Sequence, residues 1–518
     1  MLIRDLLEHN ARVHPSRVAL SASGNDVMYL ELRRRVRRHA AALGRLGLGA
    51  GDRIAILAHN SIAYVESLFA VTYAGAALVP LNNLLIAREL VAILENADVS
   101  ALLYEEGFRT RAEEIRTALP EIRHFLRIDD RGAETSGENE AAPSPRISEK
   151  DIAMVIYTRG PAGQPRGVML SHRNLFAEAA SSALELGLSR NDIFLSCAPV
   201  PFLGGTGRLL RFFLVGATIV LLEKFDPEEA LRMIERRSVT RALFTPTMMA
   251  QILDTPSAGK FNLTTLKTVL YGASTVPVDL LKRAIRFFRC GFFQLYGHVE
   301  TAGLLTFLHE EDHSLDENVP YMRKLSSVGK EAIGVRVRVV DEAGREIAPN
   351  QVGEVMVLGP NVFEGYFNDP EFTAGVMRDR WLLTGDMASV DEEGYIYIVD
   401  RKRDLMMVGG ISVDPREIEN VLSGHPSVKE AAVVACPDYT MGEVPMAVIV
   451  LREGKKEDRE SILVHCRRNM APFKVPRGVE FAPALPRNAH GKVLKAMLRD
   501  RVASRRPSQP PPPRIPPR

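Results

Sequence analysis

The sequence predicts an α/β fold with a large multi-subdomain N-terminal domain and a small α+β C-terminal domain. The large domain is layered as αβαβα with a small β-barrel-like part. Three observations carry this. Short apolar runs of strand character alternate with helix-like segments through the first half of the chain. From about Val335 the pattern becomes a β-rich meander, and after Asp400 three small units follow, with a helix and a loop near Gly491 at the end.

The segment GDRIAILAHNSIAYVESLFAVTYAGAALVPLN, Gly51 to Asn82, reads as a strand, a turn, a helix with apolar residues three and four apart, and a second strand. The same alternation recurs in Ile193 to Leu222 and in Thr240 to Gly272. Arg131 to Ser148, rich in Gly, Glu, Ser and Pro, is expected to be a surface loop. In VRVRVV, starting at Val335, valine alternates with arginine, which predicts a strand with one buried and one wet face. The C-terminal RRPSQPPPPRIPPR is basic and proline-rich and is expected to stay extended and disordered.

A chain of 518 residues exceeds the size at which a single core stops growing, so at least two domains are expected. Apolar residues at 46% and charged residues at 25% are those of a globular protein, and a formal net charge of +2 speaks against a nucleic-acid partner. Cys197, Cys290, Cys436 and Cys466 lie far apart without a CxxC, which disfavours a zinc site or a disulfide framework and fits a reducing compartment. The N-terminus has no uninterrupted apolar core, and the apolar run Phe212 to Leu222 is too short for a membrane span. A cytoplasmic location is expected.

The stretch YTRGPAGQPRGVMLSH, Tyr157 to His172, is a glycine-rich turn of the kind that lets main-chain N–H groups approach a phosphate. Five more stretches follow it: YGAST from Tyr271, QLYGHVE from Gln294, WLLTGD from Trp381, DRKRDLMMVGGISVDPREIE from Asp400 and LPRNAHGKVLK from Leu485. In this order and spacing, over about Leu6 to Leu498, the chain resembles the adenylate-forming enzymes: acyl-CoA synthetases, firefly luciferase and the adenylation domains of peptide synthetases.

The resemblance implies an ATP-dependent ligase that turns a carboxylate into an acyl adenylate and passes the acyl group to the thiol of CoA. Lys492 matches the lysine that bridges carboxylate and α-phosphate, Arg401 an arginine that reaches the nucleotide, and Glu300 the carboxylate that helps hold Mg2+. Asp386 matches the acceptor of both ribose hydroxyls, a task for an acceptor-only group with two oxygens. Tyr296 and Gly297 lie at the adenine, with Gly272, Ala273 and Ser274 lining the nucleotide through their main chain. Arg159, Gly160, Gly163, Arg166 and Gly167 belong to the phosphate loop. Phe202, Tyr271 and Leu295 are assigned to the acyl pocket. Arg403 matches the hinge about which a mobile C-terminal domain rotates, and Gly409 and Gly410 match a tight loop at the CoA tunnel. The domains implied are 1–402 for nucleotide and acyl group, 403–500 for the catalytic lysine, and 501–518 for the tail.

The chain departs from the family pattern where hydroxyls usually bind the β- and γ-phosphates: Arg159, Pro161 and Ala162 stand there, and Arg166 replaces a lysine. Each hydrogen bond lost to a charged group costs about 1.5 to 3 kcal/mol, which two bidentate guanidinium contacts can offset. Pro161 also lacks a backbone donor. Val299 replaces a threonine, Phe202 a histidine and His490 another threonine. No acidic residue lies near Val269 to Thr275, so an amino acid is disfavoured as acyl donor. Bulk at Tyr271 and Leu295 is expected to shorten the acyl tunnel in favour of a small or compact acid. Transfer to an amine or a carrier-protein thiol stays open, as do a nucleotide- or acyl-binding paralogue with little turnover and a homodimer.

Overall fold

The computed structural model describes residues 1–129, 145–159, 165–273, 276, 278–315, 324–401, 406–438, 440–456, 458–486 and 493–505. The backbone divides into two compact units. Met1–Thr158, Pro165–Thr245 and Lys260–Lys402 form the first; the second is built on the chain from Arg403 on, together with Pro246–Gly259.

The alternating segments fold as parallel strand–helix–strand units. Arg53–Leu57 and Ala77–Pro80 lie side by side with Arg53 opposite Ala77, and the helix Ile62–Tyr73 runs between them in sequence. Ser61 starts that helix by accepting a hydrogen bond from Tyr64 N–H, one of the donors a helix leaves without an internal partner. These strands belong to a seven-stranded sheet that also holds Ile152–Arg159 and Pro165–Ser171. Their runs of apolar residues are buried because helices cover parallel sheets on both faces.

A nine-stranded sheet is the second layer. At its centre Ile193–Ser196, Arg241–Phe244, Thr268–Gly272 and Gly291–Tyr296 run parallel, and Thr306–Leu308 closes antiparallel on Gly291–Tyr296. The helix Leu203–Val215 ends at Gly216 with φ of 72°, a left-handed cap suited to glycine. Phe212 stacks on Phe194 with ring centroids 3.9 Å apart, and Phe213 meets Phe69 edge-on at 4.8 Å. Full burial of each such ring contributes roughly 1.5–3 kcal/mol.

The meander after Val335 forms a five-stranded antiparallel sheet in which Trp381–Val390 pairs with Gly353–Leu358, Met377–Arg378 and Ile396–Arg401. Val339 is buried while Arg336 and Arg338 are exposed, with the Arg338 guanidinium 4.7 Å from the Trp381 ring. The second unit carries its own five-stranded sheet, dominated by the pair Val428–Asp438 and Gly442–Leu451. Its apolar core gathers Ile418, Leu422, Val433, Ile449 and Ile462. Among the described residues no helix is long and apolar enough to cross a membrane.

Candidate functional site

Three motif stretches converge within the first unit. The strand Gly291–Tyr296 ends at Tyr296, and the chain then turns through Gly297 and His298 into a short 3-10 turn, Val299–Thr301. The turn is closed by His298 N–H on Thr301 Oγ1 at 3.0 Å and by Gly303 N–H on His298 O at 2.8 Å. A Cβ at Gly297 would stand 2.6 Å from the Gly303 backbone, so the loop folds back on itself only with glycine there.

Asp386, in the strand Trp381–Val390, reaches this loop. Its carboxylate is buried, and Oδ2 accepts from Tyr296 OH at 2.7 Å and lies 3.0 Å from His298 Nε2. The Tyr296 hydroxyl is also 3.1 Å from His298 Nε2, so the three side chains form a closed triangle. A buried carboxylate oriented this way is an acceptor of fixed direction, which recognition of a diol requires. Sequence reasoning passed over His298, although it stands inside YGHVE; a polar residue at the end of a buried strand was the available signal.

Glu300 is half-buried in the same turn. Tyr366 OH donates to its Oε1 at 2.8 Å, and its main-chain oxygen accepts from Phe363 N–H at 2.9 Å. Tyr366 in turn packs near Phe372, with ring centroids 5.2 Å apart. The Arg166 guanidinium lies 3.3 Å from the Phe372 ring centroid, and its Nε donates to Asp369 Oδ2 at 2.9 Å. Arg166, expected at phosphate, is thus held by an aromatic face and a carboxylate. Tyr366 and Asp369, like His298, were not singled out from the sequence, because their partners lie far along the chain.

Gly272 ends its strand where a Cβ would come 2.2 Å from Leu295 O, and Ala273 follows with φ of 69°, a left-handed conformation costly for a residue with a side chain. Gly167 is packed beneath Tyr157, whose ring carbon would be 3.0 Å from a Cβ there. Phe202 is half-buried at the start of the helix Leu203–Val215.

The structure corrects the pairing of Tyr271 with Leu295 as walls of one acyl tunnel. Tyr271 lies opposite Gln294, and Gly272 opposite Leu295, so the two side chains leave opposite faces of the sheet. Tyr271 is fully buried, its hydroxyl 2.8 Å from His313 Nε2 and 3.4 Å from Gln294 Oε1, while Leu295 joins the main apolar core. The reason is strand alternation: adjacent positions in two registered strands cannot share a face.

The backbone of Arg401 pairs in register with Asp386; its side chain and that of Arg159 lie outside the described residues, as do Gly160, Pro161, Ala162, Gly163, Ser274, Arg403, His490 and Lys492. The tail 506–518 and most of the expected loop Arg131 to Ser148 lie outside them as well. In the second unit Gly409 and Gly410, with φ of 58° and 83°, join Met406–Val408 to Ile411–Val413 through a two-residue turn in which both positions favour glycine. A cavity of about 900 Å³ lined by Glu31, Arg35, His59, Glu66 and Glu105 contains none of the expected site residues. Within it Arg35 pairs with Glu31 and Glu66, and His59 Nδ1 lies 3.0 Å from Glu105.

The chain is similar to known proteins along nearly its whole length. The family described as AMP-binding enzyme matches residues 7–367, and its C-terminal domain matches residues 417–492. A feruloyl-CoA synthase from Amycolatopsis sp is 36% identical over 493 residues, 95% of this chain and 97% of that protein. The amide bond synthetase McbA from Marinactinospora thermotolerans superposes with a TM-score of 0.89 at 29% identity, covering 96% of this chain and 99% of the other. A double mutant of the o-succinylbenzoate CoA synthetase of Bacillus subtilis, bound with its product analogue, superposes with a TM-score of 0.85 at 30% identity over 96% of this chain and 98% of the other. With its two-part match and its similarity along nearly the whole length to a curated relative, the chain belongs to the AMP-binding enzyme family of adenylate-forming ligases.

Proposed function

We propose that the chain activates a compact, non-amino carboxylic acid with ATP and transfers the acyl group to CoA. The observation that carries this reading is the Asp386 carboxylate fixed by Tyr296 and His298, in a chain that aligns along nearly its whole length with a CoA ligase. In the first step a carboxylate oxygen attacks the α-phosphorus and the bond to pyrophosphate breaks. In the second, a thiolate attacks the acyl carbon and AMP leaves.

Each residue has a separate task. Asp386 holds the ribose hydroxyls, Tyr296 lies at the adenine, and the main chain of Gly272 and Ala273 borders the nucleotide. Lys492 and Arg401 supply positive charge where the transferring phosphoryl group is most anionic. Arg403 is assigned as the pivot between 1–402 and 403–500, and the Gly409–Gly410 turn as the bare backbone beside the thiol's path. Phe202 is kept at the acyl pocket.

Mg2+ is the metal this chemistry calls for. It commonly keeps several waters and takes only one or two protein carboxylates beside substrate phosphates. Glu300 suits that sparse demand, since Tyr366 orients its Oε1 and no cluster of three metal-binding side chains occurs among the described residues. The four free cysteines fit a reducing compartment such as the cytoplasm.

The test is pyrophosphate exchange into ATP across a panel of carboxylic acids, with Lys492→Ala as control, followed by product analysis with CoA or amines. Acid-dependent exchange that yields a CoA thioester supports the reading; absence of exchange with every acid overturns it. The match to McbA, an amide bond synthetase, favours a second reading in which an amine takes the acyl group. Exchange that yields an amide but no thioester would establish it.

A further inference from the structure

The helix Leu203–Val215 brings two guanidinium groups together, Arg208 and Arg211, against one carboxylate. Arg211 is fully buried and takes Glu178 of the neighbouring helix His172–Glu185 as its ion-pair partner; Glu178 also accepts from Ser182 Oγ at 2.9 Å. Arg208 has no such partner among the described residues. Its Nη2 lies 3.5 Å from Gly303 O, the far limit of a hydrogen bond, and its Nη1 is out of reach of solvent with no hydrogen-bond partner among the described residues. Burial, then the Arg211 charge, push Arg208 down to about 9, and Glu178 offsets only part of that. Among the described residues two cations share one anion here, which leaves one positive charge without compensation.

The location of that charge gives it meaning. Gly303 closes the loop that carries Tyr296, His298 and Glu300, and a Cβ at Gly303 would lie 3.1 Å from Leu203, the residue after Phe202. Arg208 therefore stands where the start of the helix meets the motif loop, on the side assigned to the acid. As a whole residue Arg208 is half-buried.

We propose that Arg208 binds a second carboxylate of the substrate, at the end remote from the one that is activated, and that the preferred acids are compact dicarboxylic acids. The inference rests on the carboxylate-activating reading above. An uncompensated, partly desolvated guanidinium is costly to keep, and a planar carboxylate matches its fork with two parallel hydrogen bonds. The activated carboxylate cannot serve as the lasting partner, because it loses its charge on forming the adenylate.

The experiment compares matched acids, hexanoate with adipate and phenylacetate with 4-carboxyphenylacetate, in pyrophosphate exchange with the full chain and with Arg208→Gln and Arg208→Lys. Arg208→Gln is expected to raise the KM of each dicarboxylic member by about tenfold or more, the scale of a lost bond to a charged group. The monocarboxylic member and the KM for ATP stay unchanged, and Arg208→Lys restores part of the loss. Equal losses for both members, or wild-type preference for the monocarboxylic member of every pair, overturn the proposal. Calorimetric titration with adipate and 4-carboxyphenylacetate, without ATP, reads the same site independently of turnover. If no acid supports exchange, the ligase reading fails, and the titration still decides: binding lost in Arg208→Gln sustains the proposal, while no binding or an unchanged Kd refutes it.

Discussion

Tyr296 and Asp386, ninety positions apart in the chain, are joined by a 2.7 Å hydrogen bond from the phenol to a buried carboxylate. Asp386→Asn keeps the shape and removes the charge. The expected result is a rise of about tenfold or more in the KM for ATP, since a bond to a charged group contributes roughly 1.5–3 kcal/mol. Exchange kinetics at saturating acid measure it. A KM for ATP equal to that of the parent protein would remove Asp386 from the nucleotide site.

Gly272→Ala places a methyl group 2.2 Å from the Leu295 carbonyl oxygen, and the clash is with backbone rather than with a flexible side chain. Overpacking of this kind costs about 1–3 kcal/mol. A lower thermal midpoint is expected, with Gly107→Ala as control because nothing lies within 4 Å of a Cβ there.

Two buried histidines make acid stability a readable property. Burial pushes His172 and His313 down to about 4 from an ordinary value near 6.5. His172 Nδ1 accepts from Ile3 N–H at 3.2 Å, which requires the neutral ring. The unfolded chain takes up protons near 6.5 that the folded chain refuses until about 4, so stability falls as pH drops through that window. The slope is on the order of 1.4 kcal/mol per unit for each histidine. His172→Asn, which keeps an acceptor and does not titrate, should flatten the fall in unfolding midpoint between about pH 6 and pH 5 relative to the parent.

Restoring hydroxyls in the phosphate loop, by Arg159→Ser, Pro161→Thr and Ala162→Thr together, tests what that loop has lost. A KM for ATP lower by about tenfold is expected, on the scale of one regained hydrogen bond to a charged group. Unchanged or reduced activity would assign the phosphate task to Arg159.

The α/β units were legible because their apolar spacing and turn residues are local: Ser61, for example, both ends a turn and starts a helix. Asp386, Glu300 and Tyr296 were singled out because each sits in a short motif of constrained spacing, and the structure brings Asp386 and Tyr296 into contact. The faces of Tyr271 and Leu295 were not. Each strand shows its own alternation, but which rung of one meets which rung of the other is decided by packing between segments. The same holds for the bonds of Tyr366 to Glu300 and of Asp369 to Arg166, which join positions with no local relation.

The registered pair of Asp386 with Arg401 gives the first unit an anchored exit. The polypeptide leaves that unit from the rung beside the carboxylate that holds ribose in the proposed function, not from a loose end. If a bound nucleotide tightens that rung, the main-chain hydrogen bonds between Trp381–Val390 and Ile396–Arg401 tighten with it. Slower amide exchange across Ile396–Arg401 when ATP is added would be its direct signature.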